Sequence, residues 1–271
     1  MVTKHEKLEL VSPALSTLAL VPRLVDEVDT DTFGTFSGDI PRSASAEDTV
    51  VAKARAGLDT CPSAELSVAS EGSFGPHPYL PFVPGGVELV ALVGRDGHFI
   101  VGVDVTTETN FASLETSSEE GVGAFLERIG FPSHAVLVGP KRSDLRRASS
   151  IVKGITNHDT LRRELARIVH QHGTVLIETD MRAHMNPTRR QAITRAAEDM
   201  VRRARVACPR CGKPGFYFVE AVPGRPCSQC GYATGKTKER ISACRGCRYR
   251  QVTPAEGSPY ADPYHCPECN P

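Results

Sequence analysis

The sequence predicts an α/β domain built on a mixed sheet, residues 1–206, followed by a small cysteine-built module, residues 207–271. Three observations carry this reading. Short apolar runs of β type alternate with alanine-rich helical periodicity through the first 206 residues, eight of nine cysteines fall in the last 64, and 40% of the 271 residues are hydrophobic against 24% charged. That balance belongs to a globular chain rather than a disordered or fibrous one. The longest apolar stretch, around Val87 to Val93, is far short of the roughly 18 residues of a membrane span, so no membrane association is expected. Met1 to Lys7 mix both charge signs and lead into no apolar core of a secretory signal, and the expected location is cytoplasmic.

In chain order, Ala46 to Leu58 reads as a helix, with Glu47 and Asp48 in the first turn where the dipole favours them. Leu66 to Ala69, Glu88 to Val93 and His98 to Val105 read as strands, the last two joined by a turn at Arg95-Asp96-Gly97. Between the first two, Ser70 to Pro78 reads as irregular because it is rich in Gly and Pro. Ala135 to Val138 and Ser150 to Val152 read as short strands, and Leu161 to His172 as a helix with Leu161, Leu165 and Ile168 inward. Thr174 to Asp180 then reads as a buried strand, and Asn186 caps a helix that begins at Pro187 and runs to about Val206.

The formal net charge of zero conceals a polarity. Residues 1–140 hold 8 Lys/Arg against 20 Asp/Glu, residues 141–205 hold 15 against 7, and residues 206–271 hold 9 against 5. An acidic first half suits divalent cations, and a basic middle suits phosphate. Asp29 and Asp31 alternate so that both carboxylates share one face of an extended segment. With Glu71, placed in the loop after the first strand, they could hold one Mg2+. The order strand, loop, helix N-terminus around residues 174–190 is the local grammar of an anion site. Its loop carries Asp180, Arg182, His184 and Asn186, and Arg189 lies in the first helical turn, where a bound phosphate or a partner carboxylate would explain a cation. A structural clamp between Asp180 and Arg182 or Arg189 is the other reading. His184 is a candidate general base.

The cysteines form four Cys-x2-Cys pairs: Cys208/Cys211, Cys227/Cys230, Cys244/Cys247 and Cys266/Cys269. Two intervening residues let one tight turn present two thiolates to a tetrahedral ion, so the count predicts two structural zinc ions with four thiolates each. Sequential pairing, first with second and third with fourth, is the simplest arrangement; a cross-braced one, first with third, is the alternative. A closed four-thiolate site leaves no position for water and is not catalytic. Arginines and lysines interleave here with Phe216, Tyr217, Phe218, Tyr232 and Tyr249, a mixture that would also serve nucleic acid.

Two resemblances add to this. Thr3 to Lys7, Ala46 to Ala56, Val68 to Ser73 and Val90 to Gly97 are similar, in order and spacing, to motifs of the inosine/xanthosine triphosphate pyrophosphatases, with departures at Lys4, Ser73 and Gly94. That resemblance implies the pyrophosphatase fold, a phosphate contact for Lys7 and a Mg2+ role for Glu71. Nearly the whole chain resembles an uncharacterised bacterial family of unknown function, through ASEGSFGPHP at 69–78, ETDMRAHMNPTR at 178–189 and the four knuckles. The function expected is Mg2+-dependent hydrolysis of a nucleotide or another phosphorylated small molecule. Glu71, Asp180 and His184 would act in catalysis, and Lys7, Asp29, Asp31, Arg182, Asn186 and Arg189 in binding. The alternative is a non-enzymatic protein that binds nucleic acid or a protein through its basic middle and zinc module.

Overall fold

The computed structural model describes residues 1–3, 6–33, 44–144 and 150–271. Lys4 and His5, within the motif that begins at Thr3, lie outside that set, as does the side chain of Asp31. Packing of the backbone divides the chain into two compact units, one of Met1–Gly97 with Val101–Val201 and one of His98–Ile100 with Arg202–Pro271.

The first unit opens with α1 (Leu8–Ser16), a short 3-10 turn (Thr30–Phe33) and α2 (Ala46–Thr60). Ser45 caps α2, its hydroxyl accepting from the Asp48 N–H at 3.1 Å. Three strands follow, β1 (Leu66–Pro76), β2 (Pro84–Gly94) and β3 (Phe99–Thr106), forming a sheet in that order. The segment expected to be irregular, Ser70 to Pro78, is instead strand as far as Pro76. β1 and β2 pair antiparallel without a break from Leu66/Gly94 to Pro76/Pro84. The prolines face each other where the ladder ends, so neither removes a needed donor.

Helices cover both faces of this sheet. On one, α2 lies against alternate residues of β1, Gly57 meeting Ser67 and Lys53 meeting Glu71. On the other lies α5 (Pro187–Ala204), which approaches so closely that a Cβ at Gly102 of β3 would come within 2.2 Å of the Ala196 carbonyl oxygen. Ile193, Ala196, Ala197 and Met200 of α5 are fully buried.

A second sheet has the order β4-β7-β5-β6, from β4 (Ser113–Thr116), β5 (Val136–Gly139), β6 (Val152–Ile155) and β7 (Val175–Thr179). Its core is shared with α3 (Val122–Ile129) and α4 (His158–His172), through Phe125, Ile129, Val138, Leu161, Ile168 and Ile177. Asn157 caps α4, accepting from the Thr160 N–H at 2.8 Å. Every strand pair whose register is described is antiparallel, so separate antiparallel sheets replace the single mixed sheet expected. Short links such as the turn at residues 95–98 allow only antiparallel neighbours, because a parallel pair needs a long crossover.

The second unit carries a three-stranded sheet of order β10-β9-β8, from β8 (Phe216–Pro223), β9 (Thr237–Cys244) and β10 (Arg250–Pro254). Its buried cluster is small, Cys208, Phe216 and Cys244. Among the described residues, no helix is long and apolar enough to cross a membrane.

Candidate metal centres and a buried charge cluster

Each knuckle is a tight turn closed by backbone bonds. Gly212 N–H returns to the Cys208 carbonyl at 2.9 Å and Gly231 N–H to that of Cys227 at 3.0 Å. Both glycines have positive φ, which lets the second thiolate of each turn swing beside the first. The Arg210 and Gln229 N–H groups point at the Cys208 and Cys227 sulfurs, both at 3.4 Å.

The pairing is cross-braced. Cys208, Cys211, Cys244 and Cys247 form one group and Cys227, Cys230, Cys266 and Cys269 the other, all ligand atoms of each group lying within 4.8 Å of one another. This corrects the simpler sequential expectation, and the cause is strand register. β8 pairs with β9 so that Phe216 stands opposite Cys244, delivering the third knuckle to the first. A bridge between Cys227 and Ala261 delivers the fourth to the second. Sulfur separations of 3.7, 3.7, 3.9 and 3.6 Å match the edge of about 3.8 Å that a tetrahedral ion with bonds of about 2.3 Å requires, and are far too long for disulfides. Each group could therefore hold one zinc ion. Four thiols this close cannot all ionise unaided: the neighbouring Cys230 thiol, with burial, pushes Cys269 up to about 12. A divalent cation removes that obstacle.

Aromatic residues of this unit that the sequence offers for base stacking are largely engaged within it. Phe216 is buried and stacks on Tyr249 with centroids 6 Å apart to the nearest ångström, at 5.9 Å, while Arg203 covers Tyr217 at 4.4 Å and Arg240 covers Phe218 at 4.7 Å. Tyr232 remains exposed.

In the first unit, charged residues from five elements meet around β1. Glu71 is not a loop acid. It is buried in β1, and its carboxylate accepts from Lys53 Nζ of α2 at 2.6 Å. Arg189 of α5 is wholly buried and donates through Nε to Glu88 of β2 at 2.6 Å and through Nη1 to the Met181 carbonyl. Its guanidinium also lies 5.3 Å from the Phe74 ring centroid. Gly72 faces this pair because a Cβ there would come within 2.5 Å of Glu88 Oε1. At the start of α1, Lys7 is buried and its Nζ donates to Ser70 Oγ at 3.0 Å.

The loop after β7 joins the same region. Arg182 chelates Asp180, the closest contact being 2.6 Å, and the Asp180 carboxylate also accepts from the Gly154 N–H at 3.1 Å. Of the two partners expected for Asp180, Arg182 is the one that pairs; Arg189 turns to Glu88, so the pair lies within the loop and does not clamp the strand to the helix. Asn186 caps α5, its Oδ1 accepting from the Arg189 N–H at 2.9 Å, while its Nδ2 donates to the Asp180 carbonyl and to Asn110. Arg190 pairs with Glu9 of α1. His184 lies among Arg182, Asp180, Glu6 and Arg190, and burial, with Arg182 next, holds it below the usual histidine range.

Lys7, Glu71, Asp180, Arg182, His184, Asn186 and Arg189 are thus gathered, directly or through one partner. Asp29 and Asp31 lie at the 3-10 turn, which meets α2 through Phe33, 5.9 Å from Lys53 Nζ; Asp29 is exposed. Sequence reasoning missed Lys53 and Glu88. Both had a signal: Lys53 falls on the apolar stripe of Val50, Ala54 and Gly57, and Glu88 interrupts the apolar run of β2. A charge at an apolar position implies a buried partner. Among the described residues, the two cysteine groups are the only sets of three or more His, Cys, Asp or Glu placed to share an ion, and Glu71 is committed to Lys53.

No curated protein and no solved structure matches the chain, so the likeness to inosine/xanthosine triphosphate pyrophosphatases has no structural match behind it. A family model does match, over residues 53–271, a span that includes Lys53, Glu71, Glu88, Arg189 and all eight knuckle cysteines. The chain belongs to that family, described as domain of unknown function DUF6671.

Proposed function

We propose that the first unit binds the phosphoryl group of a small molecule beside Lys7, at the junction of α1, the edge of β1 and the loop before α5, and that the cysteine module holds two structural zinc ions. The observation that carries this is the number of buried charges. Among the described residues, Lys7, Lys53 and Arg189 are all buried; Glu71 pairs with Lys53 and Glu88 with Arg189, while the Lys7 amine meets the neutral Ser70 hydroxyl. Apolar residues of similar volume would cost the fold less, so charges kept at such a place point to ligand chemistry. Arg182 and Arg190, partly exposed at the same junction, extend the cationic surface toward solvent.

Hydrolysis of that ligand, with Mg2+ arriving on its phosphates and His184 taking a proton from water, is the activity assigned to this site. A screen of phosphate and pyrophosphate release across nucleotides and sugar phosphates, with Mg2+ present, tests it on wild type and Lys7→Met. Turnover that falls at least about tenfold in Lys7→Met supports the reading. Binding without turnover reduces the assignment to a binding protein, and failure to bind any phosphorylated ligand overturns it.

A further inference from the structure

We propose that Lys7 is the proton-coupled member of this cluster: its amine is neutral while the site is empty and takes up one proton when a dianion binds. The inference rests on the phosphoryl-binding reading above and names how that site is regulated.

Among the described residues, four of the five Lys and Arg side chains at the junction have a carboxylate of their own. Lys53 has Glu71, Arg182 has Asp180, Arg189 has Glu88 and Arg190 has Glu9. Among the described residues, the hydrogen-bond partner of the Lys7 amine is the neutral Ser70 hydroxyl. Among the described residues, the charged groups facing Lys7 are Lys53 from α2, Glu71 from β1, Glu88 from β2 and Arg189 from α5. Those four cancel in pairs, so a charged Lys7 would be one buried cation too many. Desolvation then favours the neutral amine. Burial first, and Arg189 next, bring Lys7 down to about 7. A doubly charged ligand supplies the missing countercharge, and the amine recovers its proton.

Linkage gives the direction of the pH effect. Below pH 7 the amine is protonated before and after binding, and affinity is flat. Above it, each binding event takes up a proton, so affinity falls by up to about tenfold per pH unit. His184 is held below the usual histidine range, by burial first and Arg182 next.

The test is calorimetry of sulfate binding, a dianion that does not itself titrate near neutrality, with pyrophosphate as the second ligand. At about pH 8, above the about 7 of Lys7, two buffers of different ionisation enthalpy should report close to one proton taken up. Lys7→Arg, charged throughout, should bind sulfate with no uptake and no pH dependence. Sulfate binding by wild type with no uptake and a flat profile overturns the proton coupling and leaves the phosphoryl site standing. No heat with either anion overturns both. Should Lys7→Arg fail to fold, the wild-type buffer comparison alone still decides.

Discussion

Removing Arg189 tests whether the buried pair is a required part of the fold. Arg189→Met keeps most of the side-chain volume but strands the Glu88 carboxylate, which is 1% exposed, in β2. A buried charge that loses its partner costs about 3–5 kcal/mol. The Met181 carbonyl also loses a charged donor, about 1–3 kcal/mol more. A total of about 5 kcal/mol is a large share of the 5–15 kcal/mol that typically separates folded from unfolded. Replacing Glu88 as well, in Arg189→Met/Glu88→Met, removes the stranded charge and should recover about 3 kcal/mol. Urea unfolding followed by far-UV circular dichroism measures both, since the chain has no tryptophan. The stranded carboxyl escapes its penalty by protonating, so the defect of the single variant should shrink as pH falls. The reasoning is refuted if Arg189→Met loses less than about 1 kcal/mol, or if the double variant is as unstable as the two single losses added together.

Cross-bracing makes an unequal prediction for two double variants. Cys208→Ser with Cys227→Ser damages both groups, so bound zinc should fall well below one per chain, whereas Cys208→Ser with Cys244→Ser damages one group and should leave one zinc. Metal analysis giving the reverse would establish sequential pairing. Lys7→Met should stabilise the empty protein. Above pH 10.5 the amine is neutral in both states; between 10.5 and about 7 only the unfolded chain binds the proton, so wild-type stability falls as pH falls; below that the full penalty remains. At about 1.4 kcal/mol per pH unit the gain is as much as about 5 kcal/mol near neutrality, fading toward pH 10.5. Denaturation midpoints for the two proteins that stay parallel from neutral to alkaline pH would contradict it.

Features read correctly from the sequence are those decided within a few residues. Asn186 before Pro187, and the turns of the four knuckles, depend on backbone groups two to four positions away, so residue type and spacing report them directly. The helix α3 went unread although it had such a signal too, Val122, Phe125, Leu126 and Ile129 between glycines at 121 and 130, both of positive φ. The Gly and Pro content of residues 70–78 misled because those residues serve other ends than turns: Gly72 makes room for Glu88 and Arg189, and Pro76 ends the ladder.

The sequence by itself determined four tight Cys-x2-Cys turns able to offer thiolates to a metal, and a cation-bearing loop at residues 180–189 leading into a helix capped by Asn186, because both are matters of local spacing. Tertiary structure decided which knuckles share an ion and which carboxylate each cation takes. Register of β8 on β9 brings together cysteines 33 and 39 positions apart, and the sheet with its two flanking helices brings Lys53 to Glu71 and Arg189 to Glu88 across 18 and 101 positions. Local pattern carries no record of partners that far away, since burial of the whole sheet, not the neighbouring residues, makes an unpaired charge too costly and so selects its mate.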